Sequence, residues 1–433
     1  PTTRKAMKIA YSENIAPRET GFTDQELREI LSRTLAPVRG KLKKLLLLPP
    51  DYTRLHSNAG RITWHIWDML KDECEIDILP ALGTHVPVTR EEAAAMFGDI
   101  PYEQFKVHSW RTDVEKIGVV PGEYVAEISE GMVSDPIDVE VNRLLLDPSY
   151  DLILSIGQVV PHEVVGMANR NKNIFVGCGG SSMINSSHML GAFYGLERIM
   201  GRDHTPVRDV FDYAETHFLQ QIPLEYLLTV TTAPGGHIQT HGLMIGRDRV
   251  YFEKAVALAQ EKNLNLVDRP FQTCVVLLDE KEFKSTWLGN KSVYRTRMAM
   301  ADGGELIVLA PGVEKFGEDP AIDALIRKYG YAGREKTIEN VGKYADLRAN
   351  LSAAAHMIHG SGDGRFHITY CPRRLTRQEV EGVHYGYAPY DEMVKKYDPA
   401  KLKDGWNTVD GQEIYYISNP ALGLWADRKK FAK

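Results

Sequence analysis

Short apolar runs alternate with longer stretches of helical periodicity along the first half of the chain. The runs "KLLLLPP" (44–50), "EIDILPAL" (75–82), "DLILSIGQVV" (151–160) and "EYLLTVTT" (225–232) are bounded by Pro, Gly or Asp and predict buried strands. Between them "TDQELREILSRTLAPV", "AGRITWHIWDMLKDE" and "TREEAAAMFG" carry a helical period. The last opens on Thr89 with Glu92 three residues on, the pattern of a capping box. Strand–helix alternation of this kind predicts helices layered on a mainly parallel sheet. One more helix, "YFEKAVALAQEKN", leads into the polar join "LNLVDRP".

Beyond the join, "QTCVVLLDE", "GGELIVLAPG", "RFHITYCP" and "EIYYISNP" predict a second set of strands, with helices over "VEKFGEDPAIDALIRKYG" and "APYDEMVKKY". The expectation is an α/β protein of two α/β domains with mainly parallel sheets, 1–268 and 269–433, and an active site in the crevice between them. The tail is left open to pack back on the first domain. A length of 433 residues fits two domains. No internal repeat and no low-complexity tract is seen.

Composition narrows the function classes. Hydrophobic residues at 43% and charged residues at 25% support a large core. A net charge of −6, with no basic arm or lysine cluster, argues against nucleic acid or an anionic membrane as partner. The one basic stretch, "GKLKKLLLLPP", reads as a solvated lead-in to a strand. Cys74, Cys178, Cys274 and Cys371 lie far apart without CxxC spacing, against a disulfide framework or a cysteine zinc site. The N-terminal stretch lacks an apolar signal core and no run reaches membrane-span length, so a cytoplasmic location is expected.

Ligands of open α/β sheets bind at the carboxyl ends of strands. Three polar groups fall there: "DYTR" (Asp51 to Arg54), "GTH" (Gly83 to His85) and "PHE" (Pro161 to Glu163). His85 and His162 suit proton transfer near neutral pH, against the plainer reading of capping or core histidines. Arg54 is a carboxylate or phosphate clamp, or a surface arginine beside an N-cap Asp51. Lys172, flanked by Asn171 and Asn173 and followed by "IFVGCGGSS", is either solvated or a desolvated amine suited to covalent attachment. The glycines there suit a backbone nest for an anion. "GCGGSS" is not a Walker sequence and no GxGxxG follows a strand, so neither ATP nor NAD binding is supported. His188 offers a donor to Ni, Zn or Cu, or is a first-turn residue of a helix capped by Ser186 or Ser187. His237 and His241 in "GGHIQTHG" read as part of a turn or hairpin.

The combination resembles the nickel-pincer lactate racemase family. It consists of strand–DYTR, strand–GTH and strand–PH, with a lysine ten and a histidine twenty-six positions beyond the PH histidine. Further stretches, "LLTVTTAPGGHIQTHGLMIGR" and "NKSVYRTRMAMADGGELIVLAPGVEKFG", extend it over most of the chain. The resemblance implies a nickel pyridinium-3,5-bisthiocarboxylic acid mononucleotide joined covalently to Lys172, with His188 as nickel ligand. It further implies His85 and His162 as acid/base pair, Asp51 and Arg54 as cofactor contacts, and Arg54, Tyr294 and Arg295 as substrate contacts. Enzymes that make the cofactor are the implied maturation partners.

The reaction then expected is racemisation or C2 epimerisation of a 2-hydroxy acid by hydride transfer to and from the pyridinium. This chain departs from the family at "YRTRM" (Tyr294 to Met298), where Arg295 and Met298 replace a glutamine and a lysine and Arg297 is a further candidate contact. Together with His56, Ser57 and Asn58 this points to a substrate larger or more polar than lactate, such as a sugar acid, or to a dicarboxylate. The rival readings are a zinc-dependent hydrolase or lyase on the same histidines, and a non-catalytic ligand-binding homologue.

Overall fold

The computed structural model describes residues 7–432; the first residues of the N-terminal stretch read for a signal lie outside them. The chain divides into two compact units. One runs up to Leu190 and again over Ile199–Asn263; the other comprises Gly191–Arg198 and the chain from Leu264 onward.

The strands of the first unit are β1 Ser12–Ile15, β2 Lys44–Leu48, β3 Glu75–Ile78, β4 Val114–Val120, β5 Ile137–Asn142, β6 Leu152–Gln158, β7 Pro161–His162, β8 Gly166–Met167, β9 Leu224–Thr232 and β10 Gln239–Ile245. Six form one sheet in the order β1-β10-β9-β6-β2-β3. The pairs β3–β2, β2–β6 and β6–β9 are parallel, while β10 and β1 close one edge antiparallel. Leu45, Leu46, Leu47 and Leu48 of β2 are wholly buried, as the unbroken apolar run of a strand covered on both faces requires. The short pairs β4–β5 and β7–β8 stand apart from this sheet.

Helices α1 Asp24–Leu35, α2 Ala59–Leu70, α3 Arg90–Phe97, α4 Gly122–Ile128, α5 Ser181–Tyr194, α6 Pro206–Phe218 and α7 Arg249–Asn263 follow in chain order. Leu27 and Leu31 of α1 and Ile62 and Ile66 of α2 share a core with Leu45, Leu47 and Leu154 of the sheet. The capping box expected at Thr89 and Glu92 is present, each backbone N–H donating to the other side chain.

The second unit carries β11 Asn265–Val267, β12 Phe271–Leu277, β13 Met300–Ala310, β14 His367–Pro372, β15 Gly386–Tyr387, β16 Gly405–Val409, β17 Gln412–Ile417 and β18 Trp425–Asp427. Its sheet runs β15-β14-β13-β12-β17-β16, parallel except where β16 meets β17. The tail strand β18 pairs in parallel with β11 of the same unit. The helix expected over 313–330 begins only at Pro320. Proline suits the first helical position, Asp319 caps it by accepting from the Ile322 N–H, and the residues before it turn around the Asp323 carboxylate. Among the described residues, no helix is long and apolar enough to cross a membrane.

Gly60 in α2 lets that helix lie against α3, since a Cβ there would stand 2.1 Å from the Met96 carbonyl oxygen. In an open helix Gly→Ala stabilises by about 1 kcal/mol. At this contact overpacking outweighs that gain, and Gly60→Ala is expected to destabilise by about 1–3 kcal/mol in urea melts. A rise in the unfolding midpoint would show that the helices part freely.

Candidate functional site

The fold brings the polar groups to the carboxyl ends of the parallel strands. Asp51 follows β2, His85 lies in the loop after β3, and His162 sits on β7 directly after β6. Asp51 is buried and His85 exposed, and the His85 Nδ1 lies 2.8 Å from Asp51 Oδ2. Thr53 Oγ1 donates to the other carboxylate oxygen. Burial works to raise the Asp51 carboxyl, yet its bonds to His85 and Thr53 leave it below the usual carboxylate range. An ionised Asp51 accepts the Nδ1–H, so neutral His85 presents a bare Nε2.

His162 has the opposite arrangement. Its Nδ1 accepts from the backbone N–H groups of Val164 at 3.1 Å and Val165 at 3.4 Å. The proton of the neutral ring is therefore on Nε2. Burial holds this imidazole well below the usual histidine range; the Glu163 charge opposes that, and Lys172, Arg54 and His188 add to it. The two histidines are thus set as one acceptor and one donor.

Lys172 lies between β8 and the turn Asn173–Gly177. Asn173 anchors it from behind, donating to Leu48 O at 3.0 Å and Ser155 Oγ at 2.8 Å. Part of the lysine surface reaches solvent, but its amine is packed deeply enough that burial, then the Arg54 charge, pushes it down to about 7. Glu163 and Asp51 oppose that shift, and Arg208 adds to it. His188 lies in the middle of α5 rather than in a first turn, because the helix begins at Ser181. Its Nδ1 bonds the Ile184 carbonyl one turn earlier at 2.6 Å, so Nδ1 carries the proton and Nε2 keeps its lone pair. Burial lowers this histidine too, against the Ile184 bond.

The mutual fields of Asp51, Arg54, His162, Lys172 and His188 place these groups within electrostatic reach of one another. Glu163 belongs with them and was not singled out from the sequence, although it directly follows His162. The glycines of "GCGGSS" serve close packing rather than an anion nest. A Cβ at Gly179 would stand 1.8 Å from Phe175 O and one at Gly180 2.6 Å from Glu140 Oε1, and Gly177, Gly179 and Gly180 all lack the positive φ of a nest.

Two further expectations change. The Ser57 hydroxyl is buried and accepts from Ala59 N–H, and the Asn58 amide donates to Thr240 Oγ1, which leaves His56 as the one of the three that is exposed. His241 hydrogen-bonds Thr232 across the β9–β10 hairpin, as a hairpin reading requires. Tyr294 and Arg295 belong to the second unit, at the end of the short helix Lys291–Tyr294. Arg295 Nη1 donates to Gly423 O at 3.1 Å. Arg297 is buried, its guanidinium facing Glu197, Ser361 O and Asp363, and Met298 is core; neither is placed as a substrate contact in its unit.

Among known proteins, a lactate racemase N-terminal domain family model matches residues 4–198. The lactate racemase of Thermoanaerobacterium thermosaccharolyticum is 29% identical over 157 residues, covering 34% of this chain and 32% of that protein. The match thus spans about a third of the curated relative's length. A crystal structure of a Thermotoga maritima protein superposes with a TM-score of 0.72 at 25% identity, covering 91% of this chain and 94% of that one. The lactate racemase apoprotein from T. thermosaccharolyticum has the same fold, with a TM-score of 0.69, 17% identity and coverage of 98% and 96%. Over residues 4–198 the chain is similar in sequence to the lactate racemase N-terminal domain, and over nearly its whole length it has a lactate racemase-like fold.

Proposed function

We propose that the protein is a 2-hydroxy acid racemase or epimerase that works through a nickel-pincer nucleotide tethered to Lys172. The observation that carries this reading is the donor set. Among the described residues no cluster of three or more His, Cys, Asp or Glu is arranged to hold an ion. A zinc hydrolase needs about three protein donors and has no such set to draw on. A single half-buried histidine with its Nε2 lone pair available, beside a lysine whose amine burial brings down to about 7, fits a metal whose remaining donors come with a covalently attached group. That group, when bound, supplies an acceptor for the substrate's Cα hydrogen as hydride.

The protein's own residues account for the rest. Arg54 faces the site as a clamp for the substrate carboxylate. His85 Nε2, with Asp51 holding its other nitrogen, takes the hydroxyl proton of one isomer and stabilises the imidazolium that forms. His162 Nε2–H donates a hydrogen bond to the same oxygen, and when the hydrogen returns to the other face the His85 imidazolium gives its proton back to that oxygen. The second isomer is served by the same two groups, His85 carrying the proton and His162 holding the oxygen. The exposed His56 favours an acid larger or more polar than lactate, a sugar acid or a dicarboxylate.

Three outcomes test this reading. Co-production with enzymes that make the cofactor should leave a covalent mass on Lys172, and His188→Ala should keep that mass while losing nickel by metal analysis. An unmodified Lys172 removes the pincer reading. His85→Ala should slow inversion of both isomers by roughly 10²–10⁴-fold, and His162→Ala by less, since it removes one hydrogen bond and no base. A silent His85→Ala would remove it as the base.

The third outcome concerns the unloaded protein. The Lys172 amine falls from the ordinary 10.5 to about 7 on folding. Between those values the unfolded chain binds more protons, so this group's contribution to stability rises with pH through that window, and its full penalty stands below pH 7. At about 1.4 kcal/mol per tenfold displacement, discounted for partial exposure, Lys172→Met should gain about 1–3 kcal/mol over wild type at pH 6. The gain should shrink towards pH 10. Urea melts showing no gain at pH 6 would mean that the amine is solvated.

A further inference from the structure

Lys172 is presented by a strained turn. Asn169 and Arg170, immediately before Asn171, both have left-handed backbones, with φ of 69° and 53°. Neither is glycine, so surrounding contacts must hold them there. Gly157 of β6 makes room for the Asn169 side chain, since a Cβ at 157 would stand 1.7 Å from Asn169 Nδ2.

One side chain makes three hydrogen bonds to this turn. Arg208, in the first turn of α6, is wholly buried. Its Nη1 donates to Asn169 O at 3.0 Å and to Asn171 Oδ1 at 2.6 Å, and its Nη2 donates to Met167 O. All three acceptors lie within the five residues that precede Lys172. Among the described residues no carboxylate pairs with the Arg208 guanidinium directly; Asp212 reaches it through Asn171, whose amide donates to Asp212 Oδ1 at 2.7 Å. Arg170 is tied down on the other side, to Asp212 at 3.4 Å and to Arg247 O at 2.9 Å. A buried guanidinium without its own counter-ion is an expensive way to fill space that an apolar side chain could fill. Its planar fork is what an apolar side chain, or a lysine, lacks.

We propose that Arg208 is a positioning residue for Lys172: its fork clamps the 167–171 turn and so presents the lysine amine for attachment. This rests on the reading of Lys172 as the tether. Arg208 acts through Asn169 and Asn171 and does not itself touch the attached group.

The test compares wild type, Arg208→Met and Arg208→Lys as full chains, produced alone and together with the cofactor-making enzymes. Hydrogen–deuterium exchange on the unloaded proteins reads the turn, and intact mass reads attachment. In Arg208→Met, amides 168–173 should exchange at least tenfold faster while β6 and the rest of α6 stay within about twofold, and adduct occupancy should fall below about a tenth of wild type. Arg208→Lys, which keeps the charge and loses the fork, should lie between. Exchange that speeds up equally across β6, β9 and α6, or full occupancy in Arg208→Met, overturns the proposal. If Arg208→Met does not melt cooperatively, Arg208→Lys decides by the same two readings. A wild-type protein with no mass on Lys172 sinks the tether reading instead, and is told apart because its 168–173 amides would still exchange slowly.

Discussion

An amine is brought down to about 7, as at Lys172, only where it is kept short of water and away from a close carboxylate, and the surroundings of Lys172 meet both conditions. Direct pairing with an acid would restore the charge. Here the acids nearest Lys172 in effect, Glu163 and Asp51, are outweighed by burial and by the cations Arg54 and Arg208. Asp51 is engaged by His85 and Thr53. The same burial lowers His162 and His188, so one packing arrangement acts on the amine and on both imidazoles in the same sense.

The fold's outline was legible in the chain because each central strand announces itself. The four leucines of β2 and the run ending β6 are continuous apolar segments cut off by proline or a polar turn, and the residues just beyond them are the ones the sheet delivers to its carboxyl edge. Asp51, His85 and His162 could be named from that alone. Lys172 and His188 could not, since neither ends a long strand; they were recognised by their spacing from His162. Where local punctuation misled, the reason is visible. The serines before His188 look like a cap, but the helix had already begun at Ser181, after the glycines that let the backbone pack against Phe175 and Glu140.

What the sequence did not disclose is set by contacts distant along the chain. The protonated nitrogen of each histidine depends on whether its Nδ1 meets a carboxylate, a carbonyl or a pair of backbone N–H groups, and no residue pattern encodes that. Arg208 stands thirty-six positions beyond Lys172 and reads as an ordinary helical arginine until its three acceptors are seen to be the turn before the lysine. Ser57 and Asn58 show the converse. They looked like extra polar contacts for a hydroxylated substrate, and the structure uses them to fasten their own loop to α2 and β10.

That reassignment bears on the substrate of the proposed reaction. With Ser57 and Asn58 engaged, His56 is the one of the three that stays exposed. In the second unit Arg297 is buried against Glu197 and Asp363 and Met298 is core, so of the altered stretch Tyr294 and Arg295 keep exposed surface. Arg295 Nη1 donates to the Gly423 carbonyl and its Nε is buried with no hydrogen-bond partner among the described residues, so little of the planar fork is left to meet a bidentate oxygen pair. A guanidinium held this way serves the packing of its own unit first.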